Sequence, residues 1–453
     1  MTAVAGRPWI RAGWADALAR GFVAFLAMAA IGQVLAFLAW LVADTGASAA
    51  ATVRLGWMYF GAFHHVAVEL DVSDLDFVAP GAAPGSTSLS IGVALLSVTA
   101  VAVFLLFLAG RTVAARAGGS AGARVLLGAA VAPSYALPAF VAALLVDVTT
   151  PLRFGSFATG ELHVALSPWQ ALVFPFAIAA ASGAAGGFHS ALGADNRSED
   201  VRRIAAAGSG ALRMLVVGLG LSLAGLFVAG VVQPDEPVAL LTPSTARYFE
   251  TVFDRPAAGL VILGHHLAAA PNEALWTFVP AMGACDGVQG SASRDLLCYS
   301  RFPILLETTV PALEGLAVSS PFGPVIFRRA PAGYLAFLLV PVAASLLGGR
   351  AAGRRFGASR RERVLVGVTA GAMFALLIGV AAVVSSITVG YGAAFGGDGS
   401  AGWVVVGPNV VTGTLCALAW GCVGGALGAA TSDRPRRSWG ERAVLQLTGD
   451  RDP

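Results

Sequence analysis

The chain has 453 residues; 57% are hydrophobic and only 12% charged, about half the roughly 25% charged share of a soluble domain. That balance excludes a soluble enzyme, a disordered tail and a disulfide-rich secreted module, and a net charge of +3 offers no footing for nucleic acid. All 29 basic residues are arginine, with no lysine, in a chain rich in Ala and Gly. That is the mark of GC-rich coding DNA, and the expected source is a bacterium, an actinobacterium in particular.

The first apolar run, 20–43, is too long for the h-region of a signal peptide and reads as a membrane-spanning helix. It is followed by Leu55-Gly-Trp-Met-Tyr-Phe-Gly-Ala-Phe-His64-His65 and then by the acidic residues Glu69, Asp71, Asp74 and Asp76. Further spans are expected over 88–110, 124–147, 168–192 and 211–232. The third carries Pro133 and Pro138 and the fourth Pro175, each of which frees a backbone carbonyl and favours a kink.

Residues 233–331 form the longest stretch between spans. It contains His265-His266, the pair Cys285 and Cys298, and an apolar tract with Glu307 and Glu314 whose charges argue against a further span. The last spans are expected over 332–349, 363–389 and 402–430, giving eight in all.

Arginine counts orient these spans. With the N-terminus inside, most arginines fall on cytoplasmic pieces, including Arg111, Arg116 and Arg124, six between Arg350 and Arg363, and five from Arg434 onward. Both termini are then expected in the cytoplasm, in a bacterial cytoplasmic membrane. Cys285 and Cys298 lie on the oxidising side, where a disulfide is expected. Cys416 and Cys422 lie in the last span and read as small apolar fillers.

A shift of 239 residues superposes Gly110, Arg111, Arg116, Gly118, Ser120, Arg124 and Gly128 on Gly349, Arg350, Arg355, Gly357, Ser359, Arg363 and Gly367. Tyr135 falls on Phe374, and Pro133 and Pro138 fall on Ala372 and Leu377. A shift of 238 sets Gly183 and Gly187 over Gly421 and Gly425, and one of 201 sets His64-His65 over His265-His266. The expected fold is therefore an all-α polytopic membrane protein of two parallel four-helix repeats, 1–200 and 201–453, each with an irregular or re-entrant His-His segment. Gly183-x-x-x-Gly187 and Gly421-x-x-x-Gly425 allow close helix approach. Packing within the chain is the first reading of them, and a homo-oligomer the second.

No Asp, Glu, Lys or Arg lies mid-span, which weighs against an ion-coupled carrier. Gln33, Ser134 and Tyr135 are the polar groups inside, and His189 lies near a span end. The duplicated pairs His64, His65, His265 and His266 invite a transition-metal or haem site. Adjacent histidines on a helix point about 100° apart, so a structural role at a turn is favoured. No phosphate loop, dinucleotide turn or nucleophile elbow is present, and Ser182-Gly183 lacks a His at its depth, so no enzyme is expected. The leading expectation is a structural or interaction protein of the cell envelope, in contact with bilayer lipid and with an envelope protein or lipid partner. The alternatives are a transporter or channel between the repeats, and a metal- or haem-binding membrane protein.

Overall fold

The computed structural model describes residues 8–43, 48–77, 85–154, 158–192, 199–232, 256–290, 294–298, 319–320, 323–324, 332–356, 359–395 and 398–432. Among the described residues the chain is mostly helical, and eight helical segments are long and apolar enough to cross a membrane. In chain order, α1 (Pro8–Ala43) and α2 (Ala49–Ala62) precede a hairpin of β1 (Val68–Phe77) and β2 (Gly85–Gly92). Then come α3 (Leu96–Ala117), α4 (Ala121–Ala129), α5 (Ala132–Leu145), the hairpin β3 (Asp147–Phe154) and β4 (Ala158–Leu166), and α6 (Pro168–Ala191). The second half follows with α7 (Glu199–Val232), α8 (Pro256–Ala281), and the hairpin β5 (Cys285–Gly290) and β6 (Arg294–Cys298). The short strands β7 (Ser319–Ser320) and β8 (Gly323–Pro324) pair with each other. A 3-10 segment (Ala332–Leu338) leads into α9 (Leu339–Arg355), followed by α10 (Arg360–Ser385), the hairpin β9 (Ile387–Phe395) and β10 (Asp398–Pro408), and α11 (Val410–Ala430).

The helices are consistent with the expected all-α polytopic membrane protein, and beside them the chain forms strands that the sequence reading left out. The four hairpins join into one eight-stranded sheet in the order β3-β4-β1-β2-β9-β10-β5-β6, all antiparallel. Each half contributes four consecutive strands, and β2–β9, with Gly85 opposite Phe395 and Gly92 opposite Thr388, joins them. The strands explain why three predicted spans overran. Residues 88–95, 387–389 and 402–409 are apolar enough to extend a span, yet they belong to strands or to the links beside them. A short β-branched run such as Val404-Val405-Val406 fits a buried strand as well as a helix. The alternation Val68-Glu69-Leu70-Asp71-Val72 is a clear strand signature.

Among the described residues, β3 and β6 are the outer strands of this sheet. β3 carries Pro151, which has no N–H to donate, and Asp147 and Arg153; β6 carries Arg294 and Asp295. Proline and charge on an edge strand oppose further pairing.

The helices pack through small residues. A Cβ placed on Gly110 or Gly128 would run into Gly183, and one on Gly349 or Gly367 would run into Gly425. The third span breaks between α4 and α5, just before Pro133, whereas α10 is continuous. Gly21 of α1 packs against the break, where it meets the Val131 carbonyl and the Ser134 hydroxyl. Ser120 and Ser359 each cap the helix that follows an Arg-bearing helix end, with Ser359 completing a capping box with Glu362.

Candidate functional site at the sheet–membrane boundary

The polar groups of the interior gather where the strands meet the helices. Helix α2 ends at Ala62, and His64 follows its last turn. The His64 ring is fully buried, with Nδ1 2.8 Å from the Phe60 carbonyl and Nε2 2.6 Å from the Tyr135 hydroxyl. A carbonyl only accepts, so Nδ1 carries the proton and Nε2 accepts from Tyr135. Phe60 and Phe25 close around the pair, with ring centroids 6.4 and 6.5 Å from Tyr135. Burial pushes the His64 pKa down to about 4, although the Phe60 carbonyl opposes that shift. Both nitrogens are occupied, so His64 has no lone pair left for a metal.

His65 turns its backbone to φ 61°, the left-handed region that disfavours a side chain. Its Nδ1 is buried without a partner, and its other nitrogen faces the Val384 carbonyl. Burial lowers its pKa. The ring lies edge-on to Phe174 at 5.8 Å.

The turn of the second half that makes a similar backbone bond does not contain His265-His266. The Ser167 N–H donates to the Ala67 carbonyl at 3.0 Å, and the Asn409 N–H donates to the Cys285 carbonyl at 2.9 Å. Those bonds set His65 level with Gly283, which also has positive φ at 101°, and His64 level with Met282. His265 and His266 lie inside α8, well before that turn, and their side chains fall outside the described residues. The glycine contacts pair differently from a shift of 238 residues. Gly186 packs on the Phe107 carbonyl and Gly428 on the Leu346 carbonyl, so the contacts align Gly183 with Gly425, not Gly421. A small-x-x-x-small pattern repeats every helical turn, and a sequence shift slips by one turn without losing its matches. All four glycines still sit against a neighbouring helix of the same chain: Gly187 on Arg124, Gly421 on Gly371.

Asn272 of α8 ties the halves together. Its amide donates to the Ala94 carbonyl at 2.8 Å and to the Ser385 carbonyl at 3.4 Å, and its oxygen accepts from the Leu96 N–H at 3.1 Å. The Trp276 indole also donates to Ser385, at 3.2 Å, and the Ser97 hydroxyl to the Leu267 carbonyl, at 2.8 Å. The Thr99 hydroxyl donates to the Phe63 carbonyl at 2.6 Å. At the base of β5, Asp286 is buried with one carboxyl oxygen lacking a partner, and burial holds its pKa well above the usual carboxylate range.

Neither Asn272 nor Asp286 stood out in the sequence, because a single polar residue in an irregular segment has no periodicity to mark it. The strand register places Cys285 directly opposite Cys298. Gln33 donates to the Val53 carbonyl at 3.1 Å, and Cys416 and Cys422 are free thiols. Among the described residues, no group of three or more His, Cys, Asp or Glu side chains could hold a metal ion.

These features define a multi-pass membrane protein with a strand-built cap on one side of its helices. Neither a known protein family, nor a curated protein, nor a solved structure matches the chain.

Proposed function

We propose that the chain is a structural and interaction protein of a bacterial cytoplasmic membrane, built as a tandem duplication, that presents its sheet to a partner in the envelope. One observation carries this reading over transport. Where the halves meet, Asn272 spends its whole amide on Ala94, Leu96 and Ser385, and the sheet runs on unbroken through β2 and β9. A path between halves that opens and closes would have to break these buried bonds. The duplication is supported by the paired contacts Ser167–Ala67 with Asn409–Cys285, and Gly110–Gly183 with Gly349–Gly425.

The sheet is taken to be extracytoplasmic and both termini cytoplasmic. All four hairpins that build the sheet leave the bundle at one end, opposite the helix ends carrying Arg116, Arg355 and Arg360. In that orientation the cross-strand register supports a Cys285–Cys298 disulfide on the oxidising side. The glycine faces are used within the chain, which favours internal packing over a glycine-mediated homo-oligomer.

Cysteine scanning along α3 and α8 in sealed vesicles tests the reading. Single cysteines facing the other half should resist a membrane-impermeant thiol reagent at every depth. A ladder of labelled positions through the membrane would replace the scaffold with a channel or carrier. A C-terminal alkaline phosphatase fusion should be inactive, and activity would invert the orientation.

A further inference from the structure

We propose that the Arg-bearing end of α7 binds the phosphate of an anionic phospholipid whose acyl chains lie along the membrane-facing side of the same helix. The proposal needs α7 to cross the bilayer and does not rest on the scaffold reading above.

The two halves treat one arginine differently. α1 packs against α3 and α5, and α7 packs against α9 and α10. At the end of α3, Arg116 reaches back to α1 and donates to Asp16 at 3.4 Å, and Arg20 donates to the same carboxylate at 2.9 Å. At the end of α9, Arg355 reaches back to α7 and donates to the Ser209 hydroxyl. A hydroxyl accepts the bond but leaves the charge uncompensated.

More positive charge gathers around that hydroxyl. With 3.6 residues per turn, Arg202, Ser209 and Arg213 share one side of α7. Arg202 and Arg213 are both exposed. Among the described residues, Arg202, Arg213 and Arg355 form no ion pair. The other described carboxylates of this end are engaged or turned away. Glu199 pairs with Arg203 at 3.4 Å, and Glu362 accepts from the Ser359 N–H at 3.0 Å. Asp200 lies about two and a half turns before Ser209, on the opposite side of α7. A phosphate, which accepts from several guanidinium groups at once, matches this set of donors.

The surface beside the arginines identifies the source of that phosphate. The same side of α7 continues as Val216, Gly220 and Phe227. Val216 is 60% and Phe227 65% exposed, and among the described residues nothing lies within 4 Å of a Cβ built on Gly220. No charged residue lies between Arg213 and Val232. Counting back from Val232 at about 1.5 Å per residue, a hydrocarbon core of roughly 30 Å ends beside Arg213. At that depth an arginine lays its stem along apolar surface and holds its head among the headgroups. The guanidinium groups thus stand at the end of an open apolar strip. A free phosphate ion would use only the charge, whereas a phospholipid uses both the charge and the strip.

The test uses the full chain, purified in mild detergent and titrated with phosphatidylglycerol or phosphatidylcholine, with bound lipid counted by native mass spectrometry. Phosphatidylglycerol should be retained about tenfold better than phosphatidylcholine. Ser209→Asp gives Arg355 the kind of partner that Asp16 gives Arg116, and should bring the preference to within about twofold. Arg213→Gln and Arg355→Gln should do the same, while Arg116→Gln should leave the preference unchanged. Circular dichroism and a single elution peak check that each variant is folded. Equal retention of the two lipids by the unaltered chain overturns the proposal. A preference that survives both Ser209→Asp and Arg213→Gln also overturns it. So does displacement of phosphatidylglycerol by inorganic phosphate at constant ionic strength, which would assign the arginines to a soluble anion. Failure of the scaffold reading is scored separately, by thiol labelling along α3 and α8.

Discussion

In the first half of the chain, the turn that leads from helix to sheet is built around His64 hydrogen-bonded to Tyr135. In the second half the same place is held by Met282 and Phe374, both buried, with Phe278 6.1 Å from Phe374 much as Phe60 lies 6.4 Å from Tyr135. One core is polar and directional, the other purely apolar, and the surrounding backbone bonds match. A next difference lies one residue on, where His65 tolerates a left-handed backbone that Gly283 adopts freely. Another is Asp286, buried with an unpaired oxygen, level with Val68. If the halves are the proposed duplication, one backbone plan accepts either kind of filling. The departures cluster at the sheet–membrane boundary, while the glycine contacts deep in the bundle are shared.

The shared contacts should be the least forgiving. Gly183→Ala and Gly425→Ala each drive a methyl into a backbone carbonyl of the neighbouring helix and should cost about 3 kcal/mol or more, or prevent folding. Gly220→Ala, which meets no heavy atom within 4 Å, should be neutral or slightly stabilising. Thermal unfolding in detergent separates the two. Similar melting temperatures for all three variants would dismiss the shared framework.

Next comes the seam between halves. Asn272→Leu strands the Ala94 carbonyl and the Leu96 N–H in a buried site and should lower stability by about 2 kcal/mol. Limited proteolysis should then cut between the halves while each half stays protected.

The polar core can be rewritten as its counterpart. His64→Met or Tyr135→Phe alone leaves a buried orphan and should cost about 1–3 kcal/mol, while the double variant should recover most of that loss. A double variant as unstable as the sum of the singles would mean that the two cores are not interchangeable. The pH profile supplies a second reading. The folded pKa of His64 is depressed, so the unfolded chain takes up the proton first. Stability should therefore fall as pH drops from 6.5 to about 4 and level off below. That part of the profile, on the order of 3 kcal/mol, should vanish in the double variant.

Asp286 runs the other way. Its folded pKa is raised, so its burial destabilises the fold increasingly as pH rises above the ordinary carboxylate value. Asp286→Val should raise the melting temperature at pH 7 and do so less at pH 4. The smallest change is expected from His65→Gly, a gain of under about 1 kcal/mol from relaxing the positive φ. A clear loss there would give the His65 ring a role beyond shape.

What the sequence made legible follows from which signals are long and periodic. The spans are some twenty residues of unbroken apolar character, and each of the eight expected segments coincides with one of the eight helices long and apolar enough to cross. The Pro133 signal also told truly of shape, since the third span breaks just before it. The strands went unseen because their membrane ends, such as Val404-Val405-Val406, extend the apolar runs of the spans, and their polar alternation is short. His265-His266 drew attention because identical dipeptides align easily. The backbone bonds that define equivalence, such as Asn409 to Cys285, involve no side chain and leave no trace in residue identity. The His64–Tyr135 pair lies 71 residues apart and needed the fold to bring it together.

The β2–β9 seam also sets a schedule for biogenesis. The Thr388 hydroxyl reaches the Gly92 carbonyl across 296 residues of chain. At roughly 5–20 residues per second of synthesis, β2 waits about 15–60 s with one edge bare before its neighbour leaves the ribosome. During that interval the nascent chain holds four paired strands and an open ladder of N–H and C=O groups beside the membrane. An insertion factor or chaperone that shields this edge would be needed early and dispensable once β9 docks. Slowing translation between the halves should therefore raise misassembly without altering any residue of the finished protein.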